Sequence, residues 1–214
     1  LMLKASWGGG GRGMRPILKE SELEEKVLEG RREAEAAFGN GEGYLEKMIM
    51  KARHVEVQIL GDSHGNIYHL WERDCSVQRR NQKVVERAPA PYLSPAQREN
   101  LCNLGKKICE HVNYECAGTV EFLLDASHEG EDAPFAFIET NARLQVEHTV
   151  TEEVTGLDIV RLQLEIAGGR TLAELGLGRD RVPAPRGTAI QLRVNLETMG
   201  EGGMAKPAGG TLTA

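Results

Sequence analysis

Residues 139–148 read Glu139-Thr140-Asn141-Ala142-Arg143-Leu144-Gln145-Val146-Glu147-His148. Polar side chains stand at every second position from Glu139 to Glu147. Because strand side chains alternate between two faces, an extended backbone here places all of these groups on one side. They comprise two carboxylates, two amides and a guanidinium, whereas a solvated strand face more often carries Lys, Thr or Ser. The pattern favours a functional strand face, and a solvated face is the alternative.

A second carboxylate-bearing strand is predicted over residues 119–124, where Glu121 stands among apolar neighbours. Burying a Glu in such surroundings is costly unless it meets a cation. Glu121 and Glu139 can meet across adjacent strands. Together with the Asn141 carbonyl they form a hard oxygen site suited to Mg²⁺, which typically also takes substrate phosphates. The alternative is that Glu121 lies on an exposed strand face.

The glycine-rich run Gly8-Gly9-Gly10-Gly11-Arg12-Gly13 lies between two predicted strands and follows Lys4. It formally fits the dinucleotide-binding pattern, but Pro16 argues against the helix that this pattern requires next. The Gly-Lys-Ser/Thr ending of a P-loop is also missing. What remains is a loop whose N–H groups can fold over phosphates, with Lys4 adding charge. A plain hairpin tip is the alternative.

Residues 73–83 carry four cations interleaved with the amides of Gln78, Asn81 and Gln82. An anion site needs hydrogen-bond donors with fixed directions as well as positive charge, and these amides and cations supply both. A nucleic-acid patch is disfavoured because the 214-residue chain has 26 Lys and Arg against 32 Asp and Glu, a net charge of −6. No apolar run approaches the roughly 20 residues of a membrane span, so no membrane partner is expected.

The remaining patterns predict mixed helices and mostly antiparallel strands, hence an α+β class. Ser94 and Gln97 form a capping box that begins one helix, and Pro95 suits its first position. Further helices are predicted over residues 20–38 and 151–167. Strands are predicted near 55–60, 67–70, 135–138 and 188–194. Because the chain starts with Leu1 rather than Met and ends at Ala214, we expect a piece of a longer protein.

Five segments together resemble the biotin carboxylase component of biotin-dependent carboxylases, of the acyl-CoA or pyruvate type, which has the ATP-grasp fold. They are Lys4 with GGGGRGMR (8–15), EKMIMKARHVEVQILGD (46–62), ERDCSVQRRNQKVVE (72–86), GTVEFL (118–123) and FIETNARLQVEHTVTE (137–152). The resemblance implies a lid subdomain over 1–47, a core with the metal and bicarbonate site over 48–186, and the start of a C-terminal domain over 187–214. It further implies that this chain lacks the family's N-terminal α/β domain and most of its C-terminal domain.

The resemblance also implies a role for each matched residue. Glu147 is the general base, and Arg193 stabilises the biotin enolate. The bicarbonate-binding groups are Lys83, Arg143, Gln145 and the backbone of Val146. The metal ligands are Glu121, Glu139 and Asn141. The groups around ATP are Lys4, Gly8, Gly9, Gly10, Gly11 and Gly13 at the phosphates, Glu46, Lys47 and Ile49 at the adenine, and His54 at the ribose. Gln78 and Asn81 complete the polar site.

The implied activity is carboxylation of protein-linked biotin with ATP and bicarbonate, through carboxyphosphate. Its cofactors are ATP, Mg²⁺ or Mn²⁺, and biotin on a carrier domain. The implied partners are that biotin carboxyl carrier domain, a carboxyltransferase and a second copy in a homodimer or larger assembly. The implied compartment is the cytoplasm, or the mitochondrial matrix in a eukaryote. Four cysteines without metal-type spacing fit a reducing compartment.

Two other functions stay open at this point. Carbamoyl-phosphate synthetase, another ATP-grasp user of bicarbonate, shares the Glu…Glu-x-Asn pattern but does not account for 78–83 and 145–148 together. A folded interaction module without turnover is the non-catalytic alternative.

The sequence also departs from the family, with Asn81 where many relatives have His and Thr149 where Pro is common. Residues 189–214 resemble fused acyl-CoA carboxylase chains.

Because the implied site is incomplete in 214 residues, we expect this chain alone to lack biotin-dependent ATP hydrolysis. Phosphate release from ATP with Mg²⁺, bicarbonate and free biotin measures it. Turnover that rises when biotin is added to the purified chain would contradict the expectation.

Overall fold

A computed structural model describes residues 1–8, 13–79, 81–128, 130, 133–178, 182–201 and 204–211. It combines a three-stranded sheet near the start of the chain, a six-stranded sheet in the middle and a two-stranded hairpin near the end. Neighbouring strands pair antiparallel in all three sheets. Helices pack on the larger two, so the predicted α+β class is confirmed.

The first sheet has the order β2-β1-β3, formed by β1 (Met2–Ala5), β2 (Arg15–Pro16) and β3 (Gly43–Glu46). A 3-10 turn (Glu20–Glu22) leads into α1 (Leu23–Phe38), which packs on β1. At Gly30 an added Cβ would lie 2.4 Å from Leu3 Cδ2. A larger residue at position 30 would therefore require the Leu3 side chain to shift where the helix packs on the sheet. Residues 9–12, which include Gly9, Gly10 and Gly11, lie outside the described residues.

The second sheet has the order β8-β7-β4-β5-β6-β9. Its strands are β4 (Ala52–Gly61), β5 (Ile67–Arg79), β6 (Gln82–Ala88), β7 (Cys116–Asp125), β8 (Phe135–Asn141) and β9 (Ala189–Leu192). The charge-dense stretch after residue 70, to which the sequence analysis assigned no structure, forms most of the β5–β6 hairpin. Its charges are tolerated in strands because many of them pair across the sheet, as described below.

The central strand β4 shows why one face of this sheet is apolar and the other partly polar. Val55, Val57 and Ile59 are fully buried on the face covered by α2 (Pro95–His111). Glu56 and Gln58 alternate with them and are also fully buried, on the face where α3 (His148–Thr155) and α4 (Ile159–Ala167) pack. Strand alternation therefore lines this second face with polar groups beside the apolar cluster under α4.

The helix that begins at Ser94 is confirmed. The Ser94 hydroxyl accepts from the Gln97 N–H, and the Gln97 side chain accepts from the Ser94 N–H. The single helix predicted over residues 151–167 is wrong, because Gly156 takes a left-handed φ of 73° and caps α3. Asp158 then caps α4 by accepting from the Arg161 N–H. A glycine C-cap followed at once by an Asp N-cap separates two helices.

The extended backbone predicted over residues 139–147 is also only partly right. β8 ends at Asn141, and Glu147 already occupies the N-cap position of α3. Arg143 and Val146 are exposed, whereas Gln145 and Glu147 are buried. The alternation of polar residues thus continues through a turn and not along one strand face. The turn brings Glu147 over the sheet instead of beside Glu139.

The last described segment contains β9 and the hairpin of β10 (Glu197–Met199) and β11 (Ala205–Pro207). β9 pairs with β6, placing Val85 opposite Leu192. The first strand of the predicted third segment is thus hydrogen-bonded into the sheet of the second, and the predicted domain boundaries stay predictions. Among the described helices, none has the length and apolar character needed to cross a membrane.

Candidate active site

A row of charged residues crosses the polar face of the second sheet. Register places Glu139 of β8 opposite Glu121 of β7, Glu121 opposite Glu56 of β4, and Glu56 opposite Arg73 of β5. Directly opposed strand residues lie about 5 Å apart. Strand pairing therefore brings together four charged groups from positions 56 to 139, and it confirms the expected meeting of Glu121 and Glu139.

The ammonium of Lys83, from β6, lies at the centre of this face. Its Nζ is 2.5 Å from Glu56 Oε2, 2.7 Å from Glu121 Oε1 and 2.8 Å from Glu147 Oε1. Burial by itself lowers the pKa of Lys83, but the surrounding carboxylates raise it above its ordinary value. An ammonium has three donors, and each of them faces a different carboxylate here.

Glu147 joins this centre to Arg193. Its side chain is 2% exposed, and its second oxygen, Oε2, lies 2.9 Å from Arg193 Nη2. Arg193 Nε donates to Glu86 Oε1 at 2.6 Å, and the Arg193 N–H donates to the Val84 carbonyl. Continued pairing with β6 thus holds Arg193 beside the carboxylate. Burial raises the pKa of Glu86, although the charge of Arg193 opposes this.

Glu121 has the most partners of the three carboxylates. Besides Lys83, it accepts from Asn141 Nδ2 at 3.0 Å and Gln145 Nε2 at 2.8 Å. His54 Nε2 lies 2.7 Å from its other oxygen, and His54 Nδ1 is 2.9 Å from Gln78 Nε2. The structure therefore brings five of the sequence-predicted residues to one carboxylate or its immediate neighbour.

The three predicted metal ligands lie close together. Asn141 Nδ2 lies 3.0 Å from Glu121 Oε1 and 3.2 Å from Glu139 Oε1, so an amide donor stands where two carboxylates converge. Rotating that amide presents its oxygen at the same place. The resulting donors are the hard oxygens that Mg²⁺ and Mn²⁺ accept. The residues present therefore fit the ion.

The remaining predicted bicarbonate residues differ in their exposure to solvent. Arg143 is exposed, and its Nη2 is 3.4 Å from Asn141 Oδ1. Gln145 is buried, while the side chain of Val146 is exposed. Asn81 sits at the β5–β6 turn with a φ of 62°, a left-handed conformation that Asn tolerates better than most residues.

Most of the described ATP residues lie on the first sheet or on the segment that leads from it to β4, whereas His54 lies on β4 itself, next to Glu121. Lys4 Nζ lies 2.6 Å from Glu46 Oε2, so these two are brought together. Gly8 follows β1, and Gly13 has a φ of 76° before β2. Lys47 and Ile49 lie between β3 and β4, exposed and half-buried respectively.

Sequence reasoning missed three members of the charged network, namely Glu56, Arg73 and Glu86. All three are fully buried. Arg73 Nε donates to Glu56 Oε1 at 2.5 Å, so Glu56 bridges Arg73 and Lys83. The signal for Glu56 was available, because it stands between Val55 and Val57 as Glu121 stands between Val120 and Phe122.

Glu121 makes the stability of the folded chain sensitive to acid. Burial by itself raises its pKa, but His54 and Lys83 lower it far below the ordinary value of 4.5. A carboxyl with a depressed folded-state pKa stabilises the fold above its unfolded pKa and loses this contribution as the pH falls. We therefore expect the free energy of unfolding to decrease progressively below about pH 4.5. Glu121→Gln should flatten this dependence.

Urea unfolding followed by circular dichroism at a series of pH values measures the effect. Glu99→Gln, at an exposed position of α2, is the control. Equal pH dependence for Glu121→Gln and the unaltered chain would contradict the assignment.

Residues 1–175 match a family model described as carbamoyl-phosphate synthase L chain, ATP binding domain. The chain is 52% identical over 202 residues to pyruvate carboxylase 1 of Caenorhabditis elegans, covering 94% of this chain and 17% of that protein. It thus spans about one sixth of the length of the curated relatives it matches.

Two solved structures are similar in fold and sequence. Biotin carboxylase of Campylobacter jejuni in a β,γ-ATP complex has a TM-score of 0.86 and 42% identity, with 94% of this chain and 43% of that chain covered. The biotin carboxylase domain dimer of Hydrogenobacter thermophilus 2-oxoglutarate carboxylase, with MgADP, ADP and bicarbonate, has a TM-score of 0.84 and 46% identity, with 92% and 41% covered. The chain belongs to the family of the carbamoyl-phosphate synthase L chain ATP-binding domain, and within it to the ATP-grasp biotin carboxylase component of biotin-dependent carboxylases.

Proposed function

We propose that this chain supplies the catalytic centre for ATP- and bicarbonate-dependent carboxylation of biotin carried on a protein domain. The observation that carries the proposal is the position of Glu147, whose two oxygens contact the cations of Lys83 and Arg193. A carboxylate flanked by two cations suits a reaction in which one anion is deprotonated and a second anion is stabilised nearby.

In this proposal Glu147 is the general base. Lys83, Arg143, Gln145 and the Val146 backbone hold bicarbonate, and Glu147 accepts its proton as a bicarbonate oxygen attacks the γ-phosphorus of ATP. ADP leaves, and carboxyphosphate forms. The intermediate breaks into CO₂ and phosphate, and that phosphate takes the N1 proton of biotin. The enolate, stabilised by Arg193, then attacks CO₂.

The metal site serves the first step. Glu121, Glu139 and Asn141 would hold Mg²⁺ or Mn²⁺, which when bound supplies positive charge to the phosphoryl oxygens. These residues lie next to Lys83, since Glu121 Oε1 accepts from both Lys83 and Asn141. The phosphoryl group at the metal ion and the bicarbonate at Lys83 would therefore lie next to each other.

The first sheet is the proposed ATP lid. Lys4 and the glycines at 8–11 and 13 cover the phosphates, Glu46, Lys47 and Ile49 bind adenine, and His54 contacts the ribose. The contact between Lys4 and Glu46 supports placing both near the nucleotide. Lys4 must exchange this carboxylate for phosphate oxygens when ATP binds. Gln78 and Asn81 add directed donors at the polar face.

We also propose two kinds of partner outside the chain. A biotin carboxyl carrier domain delivers biotin, and a carboxyltransferase passes the carboxyl group to its acceptor. Identity to pyruvate carboxylases favours pyruvate as the acceptor, with an acyl-CoA as the alternative. A homodimer is proposed because a similar structure is described as a dimer. The proposed compartment is the bacterial cytoplasm or the mitochondrial matrix.

The test is ATP hydrolysis by the full-length protein with Mg²⁺ and bicarbonate, with and without free biotin. We expect biotin to stimulate turnover. Turnover that responds to ammonia but not to biotin would favour the carbamoyl-phosphate synthetase alternative. ATP binding without turnover would favour the non-catalytic module. Radiolabelled bicarbonate supplied with pyruvate or an acyl-CoA then distinguishes the acceptors.

A further inference from the structure

Arg73 is the most completely enclosed cation of the polar face. Its side chain is 0% exposed. Nε donates to Glu56 Oε1 at 2.5 Å, and Nη1 donates to Gln58 Oε1 at 2.7 Å and to Thr151 Oγ1 at 3.0 Å. Nη2 donates to Thr119 Oγ1 at 3.3 Å. A single guanidinium therefore ties together strands β4, β5 and β7 and helix α3.

Stability alone is a weak reason for such a group. Removing a guanidinium and a carboxylate from water costs about as much as their attraction returns, and apolar residues of similar size often serve a fold equally well. The planar fork of Arg offers something else, because it sets the direction of several acceptors at once. What matters is therefore which groups Arg73 orients.

Arg73 contacts one of the carboxylates that surround Lys83 and also the helix that begins at another. It holds Glu56 by one oxygen, which leaves the other oxygen 2.5 Å from Lys83 Nζ. It also holds Thr151, one turn along α3 from Glu147, whose Oε1 lies 2.8 Å from the same ammonium. Arg73 thereby reaches Lys83 from two directions without touching it.

We propose that Arg73 is a positioning residue for bicarbonate binding, which keeps Glu56 from capturing Lys83 and holds α3 so that Glu147 faces the bound anion. This rests on the proposed function. Each of the three Lys83 donors faces a carboxylate, so bicarbonate must take over at least one of them. With Arg73 present, Glu56 shares its charge between two cations. A Lys at position 73 keeps the positive charge but lacks the planar fork, so it holds the direction of Glu56 less firmly, and Glu56 competes more strongly with bicarbonate for Lys83.

The experiment compares Arg73→Lys with Arg98→Lys in the full-length protein. Arg98 is a matched control because its Nε donates to Glu72 Oε1 at 2.7 Å, an Arg pairing with a buried Glu on the α2 face. We expect Arg73→Lys to lower kcat/KM for bicarbonate by about 10- to 100-fold through KM and kcat, with KM for MgATP changed less than about 2-fold. Arg98→Lys should leave KM for bicarbonate unchanged.

A second pair of variants covers the case in which Arg73→Lys does not fold. Thr151→Val removes only the acceptor on α3. Thr155→Val removes a buried hydroxyl that donates to the Thr151 carbonyl within the same helix. We expect Thr151→Val to lower kcat/KM for bicarbonate by about 3- to 10-fold, and Thr155→Val to leave it unchanged.

The outcomes separate the two proposals. Wild-type turnover that needs neither bicarbonate nor biotin overturns the proposed function and the role of Arg73 with it. Wild-type turnover that needs both, with an unchanged KM for bicarbonate in Arg73→Lys and Thr151→Val, overturns the positioning role alone. A raised KM for bicarbonate in these variants, absent from Arg98→Lys and Thr155→Val, supports it.

Discussion

Glu147→Gln is expected to reduce biotin-dependent ATP hydrolysis of the full-length protein by about 10²- to 10⁴-fold, the usual contribution of a general base. Glutamine has nearly the same shape, so the buried position stays filled. Its amide cannot accept a proton from bicarbonate, and it offers Lys83 and Arg193 one oxygen where the carboxylate offered each its own. Binding of ATP should change little, because Glu147 is not among the proposed nucleotide contacts.

The measurement is phosphate release at saturating ATP and bicarbonate, with and without biotin, together with ATP binding by calorimetry. Glu153→Gln is the matched control, since Glu153 is an exposed residue of the same helix. Nearly full activity in Glu147→Gln, or an equal loss in Glu153→Gln, would refute the base assignment.

Lys83→Met is expected to be the most destabilising single substitution of the polar face. Methionine is also unbranched and approximates the aliphatic part of the lysine side chain, but Glu56, Glu121 and Glu147 lose their shared ammonium. Breaking a buried ion pair by removing one partner typically costs about 3–5 kcal/mol, because a charge is left uncompensated. We expect a loss of this size in the free energy of unfolding, as well as loss of bicarbonate-dependent turnover.

The loss should depend on pH in a defined direction. Burial by itself raises the pKa values of Glu56 and Glu121. Without the ammonium less opposes this rise, so the folded protein takes up protons that the unfolded chain does not hold. The destabilisation by Lys83→Met should therefore be smaller at about pH 5 than at about pH 8.

Urea unfolding at both pH values tests this expectation. Lys106→Met is the control, because Lys106 pairs with Glu110 at 2.6 Å on the exposed surface of α2. Exposed pairs of this kind contribute about 0.3–0.5 kcal/mol. Similar losses in Lys83→Met and Lys106→Met would contradict the role of Lys83 as the charge that balances the buried carboxylates.

Several features of this molecule could be predicted because they depend on residues close together in the chain. The Ser94–Gln97 capping box is one, and the strands predicted near 55–60 and 67–70, which lie within β4 and β5, are another. The break between α3 and α4 rests on Gly156 and Asp158, which are equally local signals. It was missed because the apolar pattern on both sides continued in phase.

The charge-rich β5–β6 hairpin was harder to predict for a different reason. Strand propensity treats Glu72, Arg73 and Asp74 as poor strand residues. Each is buried in the structure and paired with a group from another element, such as Arg98 of α2 for Glu72. Propensity averages over contexts and carries no information about such partners.

The α+β class, the alternating faces of β4 and β7, and the residue types of the candidate site could be predicted from the order of amino acids, since local spacing specifies each of them. The central position of Lys83 in that site depends instead on contacts between distant parts of the chain. The carboxylates around it lie 27, 38 and 64 residues away along the chain. Antiparallel register and the turn before α3 bring them within hydrogen-bonding distance. The Arg73 contacts depend on the same register, because strand pairing brings charges that are far apart in the chain into one buried network.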